Sequence, residues 1–343
     1  MIFEEILDMA RAQNATDIHF SSDQQIYFRV DGVLTPISLQ CHIQDMIEQL
    51  LTARQKEKLQ MLEDVDFIYQ DRFQRRYRIN VFQEKRSLTM AVRLIYDNMM
   101  MLDQHYPDVF KKLTQLKNGL VIITGPTGSG KSTTLAALLH YMNTHQRLHI
   151  VTIEDPIEYL HHSKMSIVQQ REIGIDVKNY DIALKSVLRE DPDVVVVGEM
   201  RDWKTMQTVI TLAETGHLVF STMHTLGAVK SIDRIIDSFP EGYHDQIRTQ
   251  LSTVLKAVIS QQLIPLSHGG REAVYEIMMV NQAISHLMRE KKTQMIYSHI
   301  QLGSQFGMQT MENHIRQLRD NQKISDTIAK EYLALLDIID VQK

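Results

Sequence analysis

Gly125-Pro126-Thr127-Gly128-Ser129-Gly130-Lys131-Ser132 matches G-x-x-x-x-G-K-[ST], a spacing suited to holding the phosphates of a nucleotide. Three glycines let the backbone curl until successive N–H groups converge on phosphate oxygens, at the positive end of the helix that follows. Within that cradle Lys131 neutralises β- and γ-phosphate charge, and the Ser132 hydroxyl completes the shell of a Mg2+ ion. ATP and Mg2+ are therefore the expected cofactors. Thr133, next in the chain, is counted with the loop as nucleotide-binding.

Hydrolysis also needs acidic groups at a neighbouring strand end to orient water and support the metal. Asp193-Val194-Val195-Val196-Val197-Gly198-Glu199 supplies one: four β-branched residues make a buried strand, and Glu199 emerges at its C-terminal end, where open α/β sheets place ligands. Glu199 is the candidate general base. A second acidic cluster, Glu154-Asp155-Pro156-Ile157-Glu158, closes the strand Ile150 to Ile153 in the same way; alone, it also reads as a solvated turn. His217 and His224 bracket a third strand, Leu218 to Ser221, and two histidines at the rim of one sheet edge suit phosphate sensing or a metal shell as well as structure.

A cationic strand stands apart from these. In Arg76-Tyr77-Arg78-Ile79-Asn80-Val81-Phe82, alternation puts Tyr77, Ile79 and Val81 on one face and Arg76, Arg78 and Asn80 on the other, a face unsuited to a core. Arg93, on the next predicted strand, joins it. Arginines supplied from outside a nucleotide pocket stabilise phosphoryl-transfer charge; a solvated sheet face fits the spacing equally.

The elements that must position these groups fall into two regions. Before the loop, Leu120-Val121-Ile122-Ile123 is a strand, and after it Thr133 to Asn143 is a helix. Further strands are predicted at 148–154, 193–197, 217–222 and 274–280, with helical patterns at 131–143 and 244–262 and two closing helices divided near Asn321 to Ser325. That alternation predicts a largely parallel sheet with helices on both faces. The first region differs: a helix from Phe3 to Gln13, a hairpin 26–30 and 33–34 turning at Asp31-Gly32, a helical stretch 42–62, and strands at 65–70, 76–83 and 88–95. This mixture predicts a small α+β domain over 1–97, a linker over 98–112 and an α/β domain over 113–343.

Composition narrows the classes. Lys and Arg number 37 against 42 Asp and Glu, a formal charge of −5 that argues against wholesale nucleic-acid binding. The apolar stretches are strand-sized, so no membrane span is expected, and the opening Met-Ile-Phe-Glu-Glu lacks the pattern of a secretory signal, so the cytoplasm is the expected compartment. A single cysteine, Cys41, excludes an intramolecular disulfide and a cysteine-cluster zinc site.

Taken together, these features resemble the ATPase superfamily that powers type II secretion and type IV pili, and within it the PilT-type pilus retraction ATPases. Ala15-Thr16-Asp17-Ile18-His19 and Phe28-Arg29-Val30-Asp31-Gly32 resemble its first-domain signatures. The Walker A loop at 125–132, the acidic "Asp box" at Ile153 to Glu158, the Walker B segment from Leu188 to Asp202 and the "His box" from Thr215 to Thr225 follow in order. Glu276-Ile277-Met278 and Gly307-Met308-Gln309-Thr310-Met311 resemble the retraction branch. In that branch Ala-Ile-Arg-Asn-Leu-Ile-Arg-Glu follows the core sheet, and here the segment reads Ala283-Ile284-Ser285-His286-Leu287-Met288-Arg289-Glu290.

The resemblance implies a RecA-like P-loop ATPase core behind a small PAS-like α+β domain. It also implies a homohexameric ring, peripheral to the membrane, acting on the inner-membrane platform protein of a type IV pilus. On it, Glu158 matches a nucleotide-handling position that helps place water, His217 a nucleotide-binding one and His224 a catalytic one, while Arg76, Arg78 and Arg93 match the region that supplies arginines to the nucleotide. A pilus assembly or secretion motor, or a nucleotide-binding signalling protein with little turnover, fits the same motifs.

Overall fold

The computed structural model describes residues 2–23, 25–30, 32–39, 42–95 and 100–341, in two compact units, Met1–Asn98 and Met99–Lys343. Asp31 of the predicted turn, Cys41 and part of the predicted linker lie outside the described residues.

The first unit comprises α1 (Ile2–Ala12), β1 (Asp17–Phe20), β2 (Ile26–Val30), β3 (Val33–Ile37), α2 (Ile43–Leu50), α3 (Ala53–Gln60), β4 (Val65–Gln70), β5 (Arg76–Glu84) and β6 (Ser87–Leu94). Its antiparallel sheet runs β3-β2-β1-β6-β5-β4. Phe3, Ile6, Leu7 and Ala10, one stripe of α1, are buried with Ile18, Phe28, Ile79 and Val92 from one sheet face. The predicted helical stretch 42–62 is two helices. Thr52 divides them: its hydroxyl accepts from the Gln55 N–H while its own N–H donates to the Gln55 side chain, a capping box that starts a new helix.

The second unit comprises α4 (Leu102–His105), α5 (Val109–Thr114), β7 (Gly119–Thr124), α6 (Lys131–His145), β8 (His149–Glu154), β9 (Ile167–Glu172), α7 (Tyr180–Val187), β10 (Val194–Val197), α8 (Trp203–Glu214), β11 (Leu218–Met223), α9 (Ala228–Asp237), α10 (His244–Val254), β12 (Leu255–Pro265), β13 (Arg271–Met279), α11 (Gln282–Arg289), α12 (Ile296–Leu302), α13 (Met311–Asp320) and α14 (Asp326–Val341). The sheet order is β13-β12-β7-β11-β10-β8-β9, parallel except for β13. β7 is buried on both faces. Leu120 and Ile122 join a core with residues of α7 to α12, whereas Val121 and Ile123 join one with α5 and α6. This is the helix-covered parallel sheet expected of a RecA-like core.

Here one expectation is corrected. The run 244–262 does not stay helical: α10 stops at Val254, and Leu255 onward forms β12, inserted between β7 and β13 with a bulge between Leu255 and Ala257. Leu255, Ala257, Val258 and Ile259 are all buried, and a continuously apolar run does not distinguish a buried strand from a buried helix by period. β9 is an edge strand whose only apolar residues, Ile167 and Val168, make too short a run to be recognised as a strand. Among the described residues, no helix is long and apolar enough to cross a membrane.

Candidate active site

Three adjacent strands, β7, β11 and β10, end on the same side of the sheet, and the segments after them converge. The glycine loop leaves β7. Gly125 has φ +148°, and a Cβ there would sit 2.2 Å from the carbonyl oxygen of Gln261 on β12, so the loop's first residue has no room for a side chain. Gly130, at φ +85°, leads into α6. Lys131 Nζ donates to Gly125 O at 2.7 Å and Pro126 O at 2.9 Å. Burial holds its pKa below the ordinary lysine value, opposed by the charges of Glu199 and Glu158. Thr127 and Gly128 are exposed, Ser132 is half-buried, and the Thr133 hydroxyl meets the Tyr159 phenol at 2.9 Å. Ser129 Oγ is buried with no hydrogen-bond partner among the described residues.

Glu199 follows β10. Its Oε2 accepts from Arg201 Nε at 2.9 Å and its Oε1 faces His224 Nε2 at 3.0 Å, leaving the side chain 19% exposed. His224, after β11, brings Nδ1 to 3.5 Å from Lys131 Nζ. The contacts suit one neutral tautomer, with the proton on Nε2 toward the carboxylate and the Nδ1 lone pair toward the ammonium. The carboxylate in turn raises the Arg201 pKa. Two side-chain bonds lock these strand ends: Ser221 donates to Val197 O at 2.8 Å and Thr222 to Gly198 O at 2.6 Å.

At the end of β8, Glu154 accepts from Thr152 at 2.6 Å and Gln170 at 3.0 Å, which gives it a structural role, while Glu158 in the acidic loop that follows lies near enough to Lys131 to act on its charge. His217 is a correction. It precedes β11 whereas His224 follows it, so six strand residues, roughly 20 Å at the usual rise, separate them. They occupy opposite ends of β11, and His217 Nδ1 is held by Leu212 O at 3.0 Å and Thr215 Oγ1 at 3.1 Å.

On the first unit's other sheet face, register aligns Arg29, Asp17, Arg93 and Arg78 in one row. Arg78 Nη2 pairs with Asp66 at 2.5 Å and Arg93 Nε with Asp17 at 2.8 Å. Arg76 departs from the expected exposed face, being 6% exposed. It begins β5 where the chain is tied down, its carbonyl accepting from Ile95 N at 3.1 Å and from Arg11 Nη2 at 3.4 Å.

Sequence reasoning left three site residues without a role. Arg201 and Tyr159 lie close to acidic motifs, and that proximity was the available signal. Gln261 was hidden inside the run read as helix.

The family model described as type II/IV secretion system protein matches residues 1–330. The chain belongs to that family. Among members of this secretion-system family, the type IV pilus retraction ATPase PilT of Pseudomonas aeruginosa is 41% identical over 336 residues, covering 96% of this chain and 98% of that protein. A twitching motility protein of Neisseria gonorrhoeae is 45% identical over 276 residues, covering 80% of this chain and 74% of that one. The crystal structure of the pilus retraction motor PilT with bound ADP superposes with a TM-score of 0.86 at 40% identity, covering 95% of each chain. The secretion-system chain described here is accordingly an ATPase, with a RecA-like core behind a small α+β domain.

Proposed function

We propose that this ATPase powers retraction of a type IV pilus, working as a homohexamer at the cytoplasmic face of the membrane on the inner-membrane platform protein. The observation that carries the catalytic part is the bridge Lys131–His224–Glu199 across three neighbouring strand ends. Lys131 exchanges its loop carbonyls for β- and γ-phosphate oxygens, and the loop N–H groups from Gly128 to Ser132 take the remaining charge. The unpartnered Ser129 hydroxyl and the loop's open face at Gly128, where a Cβ would meet nothing within 4 Å, fit a phosphate ligand.

Mg2+ prefers oxygen donors and retains waters, and Ser132 with the phosphates supplies such a set. The ion would neutralise phosphate charge. Glu199, oriented by Arg201 and His224, accepts the proton of the attacking water, and Glu158 helps place that water. Arg78 and Arg93, which pair with Asp66 and Asp17 in the first unit, are proposed to stabilise developing phosphate charge.

Steady-state ATPase activity of the purified wild type beside Glu199→Gln, with oligomer mass read on the same samples, tests this. A hexamer that turns over ATP and a variant that binds but does not hydrolyse support the motor. Wild-type turnover in Glu199→Gln removes the assigned base, and an inert wild type favours a signalling role. Loss of pilus retraction in cells carrying Glu199→Gln, with pilus assembly intact, separates a retraction motor from an assembly motor.

A further inference from the structure

Beside the glycine loop, on β12, stands a side chain that touches both the loop and the helix leaving it. Gln261 is 2% exposed. Its Nε2 donates to Ser129 O at 2.7 Å, and its Oε1 accepts from Thr134 Oγ1 at 2.7 Å. The amide orientation follows from chemistry, because a backbone carbonyl only accepts and must face the NH2 end. Thr134 lies one turn into α6, its own N–H donating to Gly130 O at 3.0 Å.

The backbone of the same residue closes the other end of the loop. Ser260 pairs with Thr124, which brings Gln261 opposite Gly125; a Cβ on Gly125 would lie 2.2 Å from Gln261 O and one on Gly130 2.9 Å from Gln261 Nε2. One residue of β12 thus abuts both the first glycine of the loop and the last.

In a trans peptide the carbonyl of one residue and the N–H of the next point in opposite directions. Tying Ser129 O outward to Gln261 therefore turns the Gly130 N–H inward, toward where phosphate oxygens bind. We propose that Gln261 is a positioning residue of the nucleotide site, fixing the Ser129–Gly130 peptide so that Gly130 donates to phosphate. The side chain is specific: asparagine is one methylene too short to reach both partners, and a carboxylate cannot donate to Ser129 O. This rests on the ATPase reading only for where the nucleotide sits.

Binding of a fluorescent ADP analogue, steady-state ATPase kinetics and thermal unfolding, each measured for wild type, Gln261→Met and Gln261→Glu, test it. Gln261→Met keeps the volume and loses both hydrogen bonds. Its dissociation constant for ADP and its KM for ATP should rise about tenfold, with kcat within about threefold, since the lost interaction serves ground and transition states alike. In Gln261→Glu, binding should tighten as the pH falls, because the protonated carboxyl regains a donor for Ser129 O, while wild-type binding does not follow that profile. A folded Gln261→Met with wild-type affinity overturns the proposal. If that variant does not fold, a Gln261→Glu pH profile parallel to wild type overturns it instead. Wild-type protein that binds ADP without turnover would end the ATPase reading, and the affinity comparison would still decide the role of Gln261.

Discussion

His224 joins Glu199 through its Nε2, 3.0 Å from Oε1, while presenting Nδ1 to Lys131 at 3.5 Å. One imidazole therefore links the group proposed to hold phosphate to the group proposed to activate water. Replacing it by alanine removes the link and leaves both charges in place. His224→Ala should lower kcat by about a hundredfold, the usual scale for a proton-handling or orienting group, with a smaller change in KM. Steady-state kinetics check this, and an unchanged kcat would take His224 out of the machinery.

Arg201 fixes the other carboxylate oxygen at 2.9 Å from an exposed position, its own side chain 65% accessible. Losing it frees Glu199 to rotate but does not touch the phosphate loop. Arg201→Ala should reduce kcat by about tenfold while ADP binding stays at the wild-type level. Parallel loss of binding and turnover would show instead that Arg201 supports the fold of the site.

Two loop glycines should respond differently to alanine. At Gly125 a methyl group would meet Gln261 O at 2.2 Å, and backbone cannot yield there. At Gly128 the methyl would meet nothing within 4 Å, and only the positive φ of +78° opposes it, at about 1–2 kcal/mol. Gly125→Ala should abolish nucleotide binding and lower the melting temperature by more than Gly128→Ala, whose cost corresponds to about 2–8 °C. Melting curves with and without ADP distinguish the two.

His161 predicts an acid-side loss of stability. Burial pushes its pKa down to about 4 from an ordinary value near 6.5, and its Nδ1 has no hydrogen-bond partner among the described residues. Between those values the unfolded chain takes up a proton that the folded chain refuses. The contribution is complete above about pH 6.5 and is lost as the pH falls toward 4, up to roughly 3 kcal/mol. Trp203, the chain's single tryptophan, reports unfolding of the second unit. Urea midpoints followed by its fluorescence should fall between pH 7 and pH 4.5 in wild type, and His161→Leu should flatten part of that slope. His140 and His314, also depressed by burial, act in the same direction, so the difference between the two proteins is the quantity to read.

Much of this site was legible because its groups sit at strand ends. The loop, Glu199 and His224 each follow a short apolar run whose exit marks a sheet edge, and the run and its exit are both visible in the sequence. His217 was placed on the same rim as His224 for the same reason, since a run has two ends and the two histidines lie at opposite ones. Gln261 was invisible because an apolar stretch continuing from α10 suits either period, and only the slot between β7 and β13 selects a strand. Arg76 was placed on an open face by alternation, which cannot register that the start of its strand is tied down at Ile95 and Arg11.

The order β7-β11-β10 sets apart two kinds of evolutionary freedom. The reactive groups hang from three rails whose spacing is the fixed pitch of a parallel sheet, about 5 Å from one strand to the next. The crossovers that join those rails leave the site after a first turn such as Lys131 to Thr134 of α6, and beyond it their side chains are free of that pitch. Resurfacing or lengthening such a connector leaves the engine in tune, so selection can alter what the molecule grips without retuning how it burns fuel.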